Sequence, residues 1–201
     1  MNEQGKEFIL SKKSTIKKTS IISAEEGSFI DLDEPVVDFD KVKDDYVKKL
    51  NLHLSDKPNS SDALLWKEEE KIYLIEYKSG GVDFKELFNI HMKVNGSAFL
   101  LMDILDEPLE YLRKNVEYVL VYNPEKKHTV KCYDATGVLD KKEVNFSSAR
   151  VNISSRLNER AKIEHIQFDL KRYIHFLYCN VHTFTPRQFE NFFKIKRTRN
   201  T

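Results

Sequence analysis

Asp62, Glu76 and Lys78 are the residues in this chain whose types and spacing could do chemistry. They lie in SDALLWKEEEKIYLIEYKSGG, residues 61–81, where an Asp opens one apolar run and Glu-Tyr-Lys closes the next. Two short apolar runs with a polar break read as strand, turn, strand. A single helix over 62–78 is the rival reading, but the contiguous Ile72, Tyr73, Leu74 and Ile75 suit a strand buried on both faces better. With residues 68–70 as a loop centred on Glu69, residue 67 faces 71, 64 faces 74, and Asp62 faces Glu76. Directly opposed residues share a face, and Lys78, two residues on, shares it too. A slip of one residue would put the two carboxylates on opposite faces.

Two opposed carboxylates repel, and a bound Mg²⁺ or Mn²⁺ reverses the sign of that interaction. Mg²⁺ favours one or two carboxylates, several waters and a substrate phosphate over a closed protein cage. The lysine would orient or deprotonate an attacking water, or stabilise charge on phosphorus, while the metal acts as Lewis acid. The chemistry expected is metal-dependent cleavage of a phosphodiester.

Asp62, then thirteen residues, then Glu76-Tyr77-Lys78 resembles the motif of the PD-(D/E)xK nuclease superfamily. Ser61 stands where the naming Pro would be, with Pro58 nearby. The resemblance covers about residues 38–123. It implies that Asp62 and Glu76 bind Mg²⁺ or Mn²⁺, that the backbone carbonyl of Tyr77 is a third ligand, and that Lys78 serves the water. It also implies an α/β (α+β) restriction-endonuclease-like fold: a central mixed sheet flanked by helices around an α-β-β-β-α-β core. An additional acid on the first helix is a feature of many members; here Asp40 and Asp45 flank the apolar face set by Phe39, Val42, Tyr46 and Leu50, and Asp44 points more nearly away. Ordinary helix N-terminal preference for acids explains all three equally well. Polar residues on the second helix often assist phosphate binding in such proteins, which singles out Lys93; an exposed helix lysine is the plainer reading.

The elements that must position these residues follow from local pattern. Phe39–Leu50 is expected as a helix, 62–67 and 71–79 as the hairpin, and 84–105 as a second helix capped by Asp83 and weakened or kinked at Gly96. Val116–Tyr122 reads as a strand ended by Asn123-Pro124, with Val130–Tyr133 as its hairpin partner. Residues 106–115 read as a polar connection. The first core strand has only Leu52–Ser55 available, unless an N-terminal run substitutes. Residues 1–37 form an arm with short strands or irregular structure. A C-terminal helical part spans about 160–201: Ile166, Leu170, Ile174 and Leu177 predict a helix over 163–180, and Thr185-Pro186 opens another, docked by Phe189, Phe192 and Phe193.

At 201 residues, a single nuclease-like domain is expected, and 13 Phe and 9 Tyr can fill its core. The 33 basic and 32 acidic residues leave a net charge of +1, so a nucleic-acid surface must come from local patches. Lys12, Lys13, Lys17 and Lys18 form one, and KIKRTRNT at the end another; a solvated face and a frayed tail are the plainer readings. Cys132 and Cys179 are isolated, which argues against zinc and fits a reducing interior. His91 reads as a hydrogen-bonded helix residue. No secretory leader or membrane span is expected, which points to a cytoplasmic protein.

The leading expectation is thus a Mg²⁺-dependent nuclease acting on nucleic acid, on DNA by the resemblance, in host defence or a mobile element, alone or as a homodimer. The alternatives are an inactive nuclease-like module that binds nucleic acid or a protein partner, and a metal-free protein in which salt bridges satisfy Glu76 and Lys78.

Overall fold

The computed structural model describes residues 2–53, 57–67, 71–133, 139–145 and 166–198. Its centre is the run IYLIEYK, Ile72–Lys78, which is buried along its whole length until the partly exposed Lys78. A strand that is apolar on both sides needs neighbours at both edges and a layer over each face. A six-stranded mixed sheet provides the neighbours. In chain order the strands are β1 (Lys13–Thr15), β2 (Ile21–Ser23), β3 (Gly27–Ser28), β4 (Pro35–Asp38), β5 (Ala63–Trp66), β6 (Ile72–Lys78), β7 (Val116–Tyr122), β8 (Lys127–Tyr133), β9 (Leu139–Asn145) and β10 (Asn180–Phe184). The main sheet runs β1-β4-β5-β6-β7-β10. From β1 to β6 each adjacent pair is antiparallel, while the β6–β7 and β7–β10 pairs are parallel.

Helices cover both faces. On one lie α1 (Glu3–Leu10), α3 (Phe39–Lys49) and α4 (Phe84–Leu105), with α2 (Ile16–Thr19) a single turn elsewhere in the N-terminal part. Leu87, Ile90, Val94, Ala98 and Leu101 of α4 pack with Leu64, Leu74, Tyr118 and Leu120 of the sheet. Beyond α4 come α5 (Leu109–Asn115) and, after β10, α6 (Pro186–Thr198). Phe189 and Phe193 of α6 pack on the opposite face with Tyr73, Ile75, Tyr77, Val119 and Val121. No helix among the described residues is long and apolar enough to cross a membrane.

The expected mixed sheet flanked by helices is therefore present, with α3, the hairpin, α4 and β7 in their expected places. Asp38 caps α3 by accepting from the Lys41 N–H (3.0 Å), and Asp83 caps α4 by accepting from the Glu86 N–H (2.8 Å). At Thr185, the hydroxyl accepts from the Gln188 N–H and the Gln188 side chain accepts from the Thr185 N–H, a reciprocal cap that starts α6.

Several expectations fail for identifiable reasons. Gly96 does not break α4, which is one 22-residue helix. A Cβ there would lie 2.1 Å from the carbonyl oxygen of Asn59, so the glycine admits a close backbone approach. The place beside β5 is taken by β4, which precedes α3; Leu52 and His53 form no strand, and 54–55 lie outside the described residues. Within 1–37 the expected short strands are present, two of them, β1 and β4, in the main sheet, but Phe8-Ile9-Leu10 ends a helix. Residues 109–115 are helical although only Leu112 is fully buried, too thin a stripe to register as periodicity. β8 pairs with β9, because both edges of β7 are occupied by parallel partners.

The helix expected over 163–180 is absent across 166–180, and 163–165 lie outside the described residues. Phe168, Asp169 and His175 have φ of 59°, which interrupts any helix, and only a short 3₁₀ turn forms at Leu170–Tyr173. Leu170 and Leu177 still reach the core. The segment is held by distant partners: the Tyr178 hydroxyl donates to the Val94 carbonyl, and the Tyr173 hydroxyl meets His91 Nδ1 at 2.9 Å.

Candidate active site

The hairpin register brings the three residues together. β5 and β6 pair Ala63 with Ile75, Leu64 with Leu74 and Trp66 with Ile72, and the Lys67 N–H donates to the Lys71 carbonyl (2.8 Å) beside the loop. This is the register that the symmetric placement about Glu69 predicts, and its paired residues end at Ala63 and Ile75, one short of Asp62 and Glu76. Residues 68–70 themselves lie outside the described residues. Leu74, Glu76 and Lys78 alternate onto the face covered by α4.

Helix α4 also fixes the approach to Asp62. Ser97 Oγ accepts from the Ser61 N–H (2.8 Å) and lies 2.9 Å from the Ser61 hydroxyl, all buried. Gly96 admits the Asn59 carbonyl one residue earlier on the helix. Asp62 is then anchored by its own groups. Its backbone carbonyl accepts from Phe39 at the start of α3 (3.1 Å), and its Oδ2 accepts from the Tyr77 N–H (2.8 Å).

The charges converge in a tight cluster. Lys93 Nζ, from the sheet-facing side of α4, donates to Asp62 Oδ1 and to both oxygens of Glu76, each at 2.9 Å. Lys78 Nζ lies 3.1 Å from Glu76 Oε1 and 3.1 Å from Glu86 Oε2, near the start of α4. Glu76 is fully buried. Burial, then the neighbouring Asp62 charge, pushes its carboxyl up to about 8, against the pull of the Lys93 and Lys78 ammoniums. For both lysines burial favours loss of the proton, but the carboxylates outweigh it and raise their pKa values, Glu76 being the main cause in each. Burial also works on Glu86, yet its hydrogen bond and attraction to Lys78 hold it below the usual carboxylate range.

Asp62, Glu76 and Lys78 are thus neighbours, and Lys93 joins them, although it is engaged with the carboxylates. The N–H and C=O of a strand residue point to one side. Because the Tyr77 N–H is turned to Asp62, its carbonyl faces the same edge. Asp40 and Asp45 are not brought in. Asp40 binds Lys43 (2.6 Å) and Ser60 (2.7 Å), and Asp45 binds Lys12 (2.7 Å) and Lys48. Asp44 binds Lys57 (2.9 Å). In the N-terminal basic cluster, Lys12 and Lys17 are held by Asp45 and Asp31. The basic C-terminus has side chains outside the described set from residue 194 onward. Sequence reasoning missed Glu86, Ser61 and the clamping role of Gly96 and Ser97. A signal existed: Glu86, Lys93 and Ser97 fall at helical spacing around Ile90, within a stripe otherwise apolar.

The donor set suits one kind of cation. No group of three or more His, Cys, Asp or Glu among the described residues is placed to hold a metal ion. Two carboxylates and a carbonyl do not make a zinc site. They do fit Mg²⁺ or Mn²⁺, which keep waters and share a substrate's oxygens. Asp62 and Glu76 converge on one ammonium, that of Lys93. A cavity of about 820 Å³ between α3 and the C-terminal half of α4, walled by Val47, Leu50, Phe99 and Met102, does not include this cluster. No protein-family model matches the chain, and searches of curated proteins and of solved structures also find no match.

Proposed function

We propose that this chain is a Mg²⁺- or Mn²⁺-dependent nuclease of PD-(D/E)xK type, with a restriction-endonuclease-like core, hydrolysing phosphodiester bonds in DNA. The observation that carries the reading is the convergence of the Asp62 and Glu76 carboxylates on one point, where the Lys93 ammonium meets both, with Lys78 beside Glu76 at the same end of the hairpin. Asp62, Glu76 and the Tyr77 carbonyl would hold the metal. When bound, it supplies Lewis-acid polarisation of a phosphate oxygen and a more acidic water. The Lys78 ammonium is tethered between Glu76 and Glu86, which fixes where it can orient that water or meet charge developing on phosphorus. The Tyr77 N–H holds one oxygen of the Asp62 carboxylate, which limits how far that group can turn.

Linear, circular and single-stranded DNA and RNA, incubated with Mg²⁺, Mn²⁺ or a chelator, test the reading. Cleavage that needs the metal and is lost in Asp62→Asn, Glu76→Gln and Lys78→Met, all folded, is the expected result. Metal-dependent cleavage by all three variants rejects it.

A second reading rests on a specific observation. Lys93 and Lys78 together satisfy both carboxylates without a metal, as a metal-free structural or interaction protein would have them. Absence of Mg²⁺ and Mn²⁺ binding in calorimetry selects it.

A further inference from the structure

Lys93 spends its whole hydrogen-bonding capacity on the two residues assigned to metal. An ammonium has three N–H donors, and this one has three acceptors at 2.9 Å: Asp62 Oδ1 and the two oxygens of Glu76. No capacity remains for a phosphate. The cluster of Asp62, Glu76 and Glu86 against Lys78 and Lys93 carries a net charge of −1 when all are ionised, three negative and two positive. A divalent ion added with Lys93 in place leaves a net +1 in a site where Glu76 has no contact with water. The same ion with the Lys93 ammonium withdrawn leaves zero. Like charges sharing the same oxygens repel strongly in a poorly screened site. Lys93 also has a way out: its side chain keeps 21% exposure and Asp62 keeps 19%, so the ammonium sits at the open side of the pair. Its four-carbon stem can swing while α4 stays packed.

We propose that Lys93 is an exchangeable internal counter-ion: its ammonium holds the two carboxylates together until a divalent metal displaces it, and the displaced ammonium then faces solvent as a contact for the substrate phosphate. This rests on the metal reading of the site and adds to it a competition between a side chain and the metal. It explains how two opposed carboxylates, once both are ionised, are tolerated in the fold before metal arrives. It also makes metal affinity weaker than two carboxylates and a carbonyl would otherwise provide.

Calorimetric titration of wild type, Lys93→Met and Lys93→Arg with MgCl₂ and MnCl₂ tests the competition directly. Lys93→Met is expected to bind at least about tenfold more tightly than wild type, and Lys93→Arg, which keeps the charge, to stay within about threefold of it. Equal or weaker binding by Lys93→Met overturns the competition while leaving metal binding intact. Absence of binding in wild type and Lys93→Met alike overturns the metal reading and the competition together. A second measurement uses only the wild-type chain, so it stands if Lys93→Met fails to fold. Brief acetylation with an N-hydroxysuccinimide ester, read by peptide mass spectrometry, reports how free the Lys93 amine is, normalised to the exposed Lys41. Mg²⁺ is expected to raise Lys93 labelling several-fold. Unchanged or reduced labelling at saturating Mg²⁺ overturns displacement.

Discussion

Strand β6 presents two different environments within four residues. Ile75 and Tyr77 point to the face covered by α6, where Phe189, Phe193, Val119 and Val121 surround them. Glu76 and Lys78 point to the face covered by α4, where Lys93, Asp62 and Glu86 surround them. Both faces are buried, but one is held by shape and the other by charge. Apolar packing stabilises in proportion to area and tolerates little loss of volume. A buried charge cluster contributes little net stability, because desolvation consumes most of the attraction, yet removing one partner alone is severe. A fold that keeps such a cluster beside an ordinary core at the same strand end has separated the work of staying folded from the work the cluster does.

The sharpest way to break this contrast is to cross two substitutions. Glu76→Gln is expected to lower cleavage on the order of 10³-fold while the chain remains folded. Phe189→Ala, at a fully buried ring on the other face, is expected to cost about 3–5 kcal/mol in denaturant unfolding while cleavage per folded molecule changes little. Comparable activity losses in both variants would mean the two faces are not separable.

The next test concerns charge itself. Lys93→Ala strands a fully buried Glu76 beside Asp62 and is expected to cost about 3–5 kcal/mol. Replacing the three together, as Asp62→Leu, Glu76→Leu and Lys93→Met, removes desolvation along with attraction. That variant is expected to equal wild type or exceed it by about 1–4 kcal/mol, with no cleavage. A triple variant less stable than Lys93→Ala would show that the cluster holds the fold together after all.

A third test uses pH. The carboxyl of Glu76 is raised from an ordinary 4.5 to about 8. Between those values the folded chain holds a proton that the unfolded chain has released, so stability falls as pH rises through that window. One proton sets the greatest slope at about 1.4 kcal/mol per pH unit. Wild type is therefore expected to lose stability relative to Glu76→Gln from pH 4.5 to 8. The raised Lys93 and Lys78 act only above 10.5. The lowered His128 is common to both chains and cancels. The difference between wild type and Phe189→Ala should stay flat with pH. A flat Glu76→Gln difference would place the ionised carboxylate in the fold throughout.

How far the sequence could carry this picture depended on the range of each interaction. The register that brings Asp62 beside Glu76 was legible because the polar break at 67–71 is symmetric between two apolar runs, and strand alternation then places Lys78. The engagement of Lys93 was not. Its residue could be singled out on α4, but where its ammonium lands depends on how that helix is rotated and set over the sheet, which periodicity does not encode. The helix expected near Leu170 and Leu177 shows the reverse error. Their spacing is real and both residues are buried, but contacts from Tyr173 and Tyr178 to α4 draw the segment into turns before β10. Asn180–Phe184 was overlooked as a strand because it follows that apparent helix without a break. Asp40 and Asp45 had suitable positions and chemistry, yet nearby lysines hold them elsewhere.

Ser97 offers the smallest and most local test, because it lies where the two modes of stabilisation meet. Its hydroxyl is buried on an otherwise apolar stripe of α4, and it receives the Ser61 N–H at 2.8 Å. Ser97→Ala adds no bulk and leaves that buried N–H without its acceptor, so a loss of about 1–3 kcal/mol is expected. If Ser97 merely satisfied a backbone group, that would be the whole effect. But Ser61 precedes Asp62, whose carboxylate must meet both Tyr77 and Lys93. A displacement of about 1 Å at a reacting group can cost on the order of 10²-fold in rate. Cleavage per folded molecule should therefore fall in Ser97→Ala by more than in a helix-cap variant on the opposite face, such as Thr185→Ala at the start of α6. Equal activity in those two variants would reduce Ser97 to a packing residue and detach α4 from the positioning of Asp62.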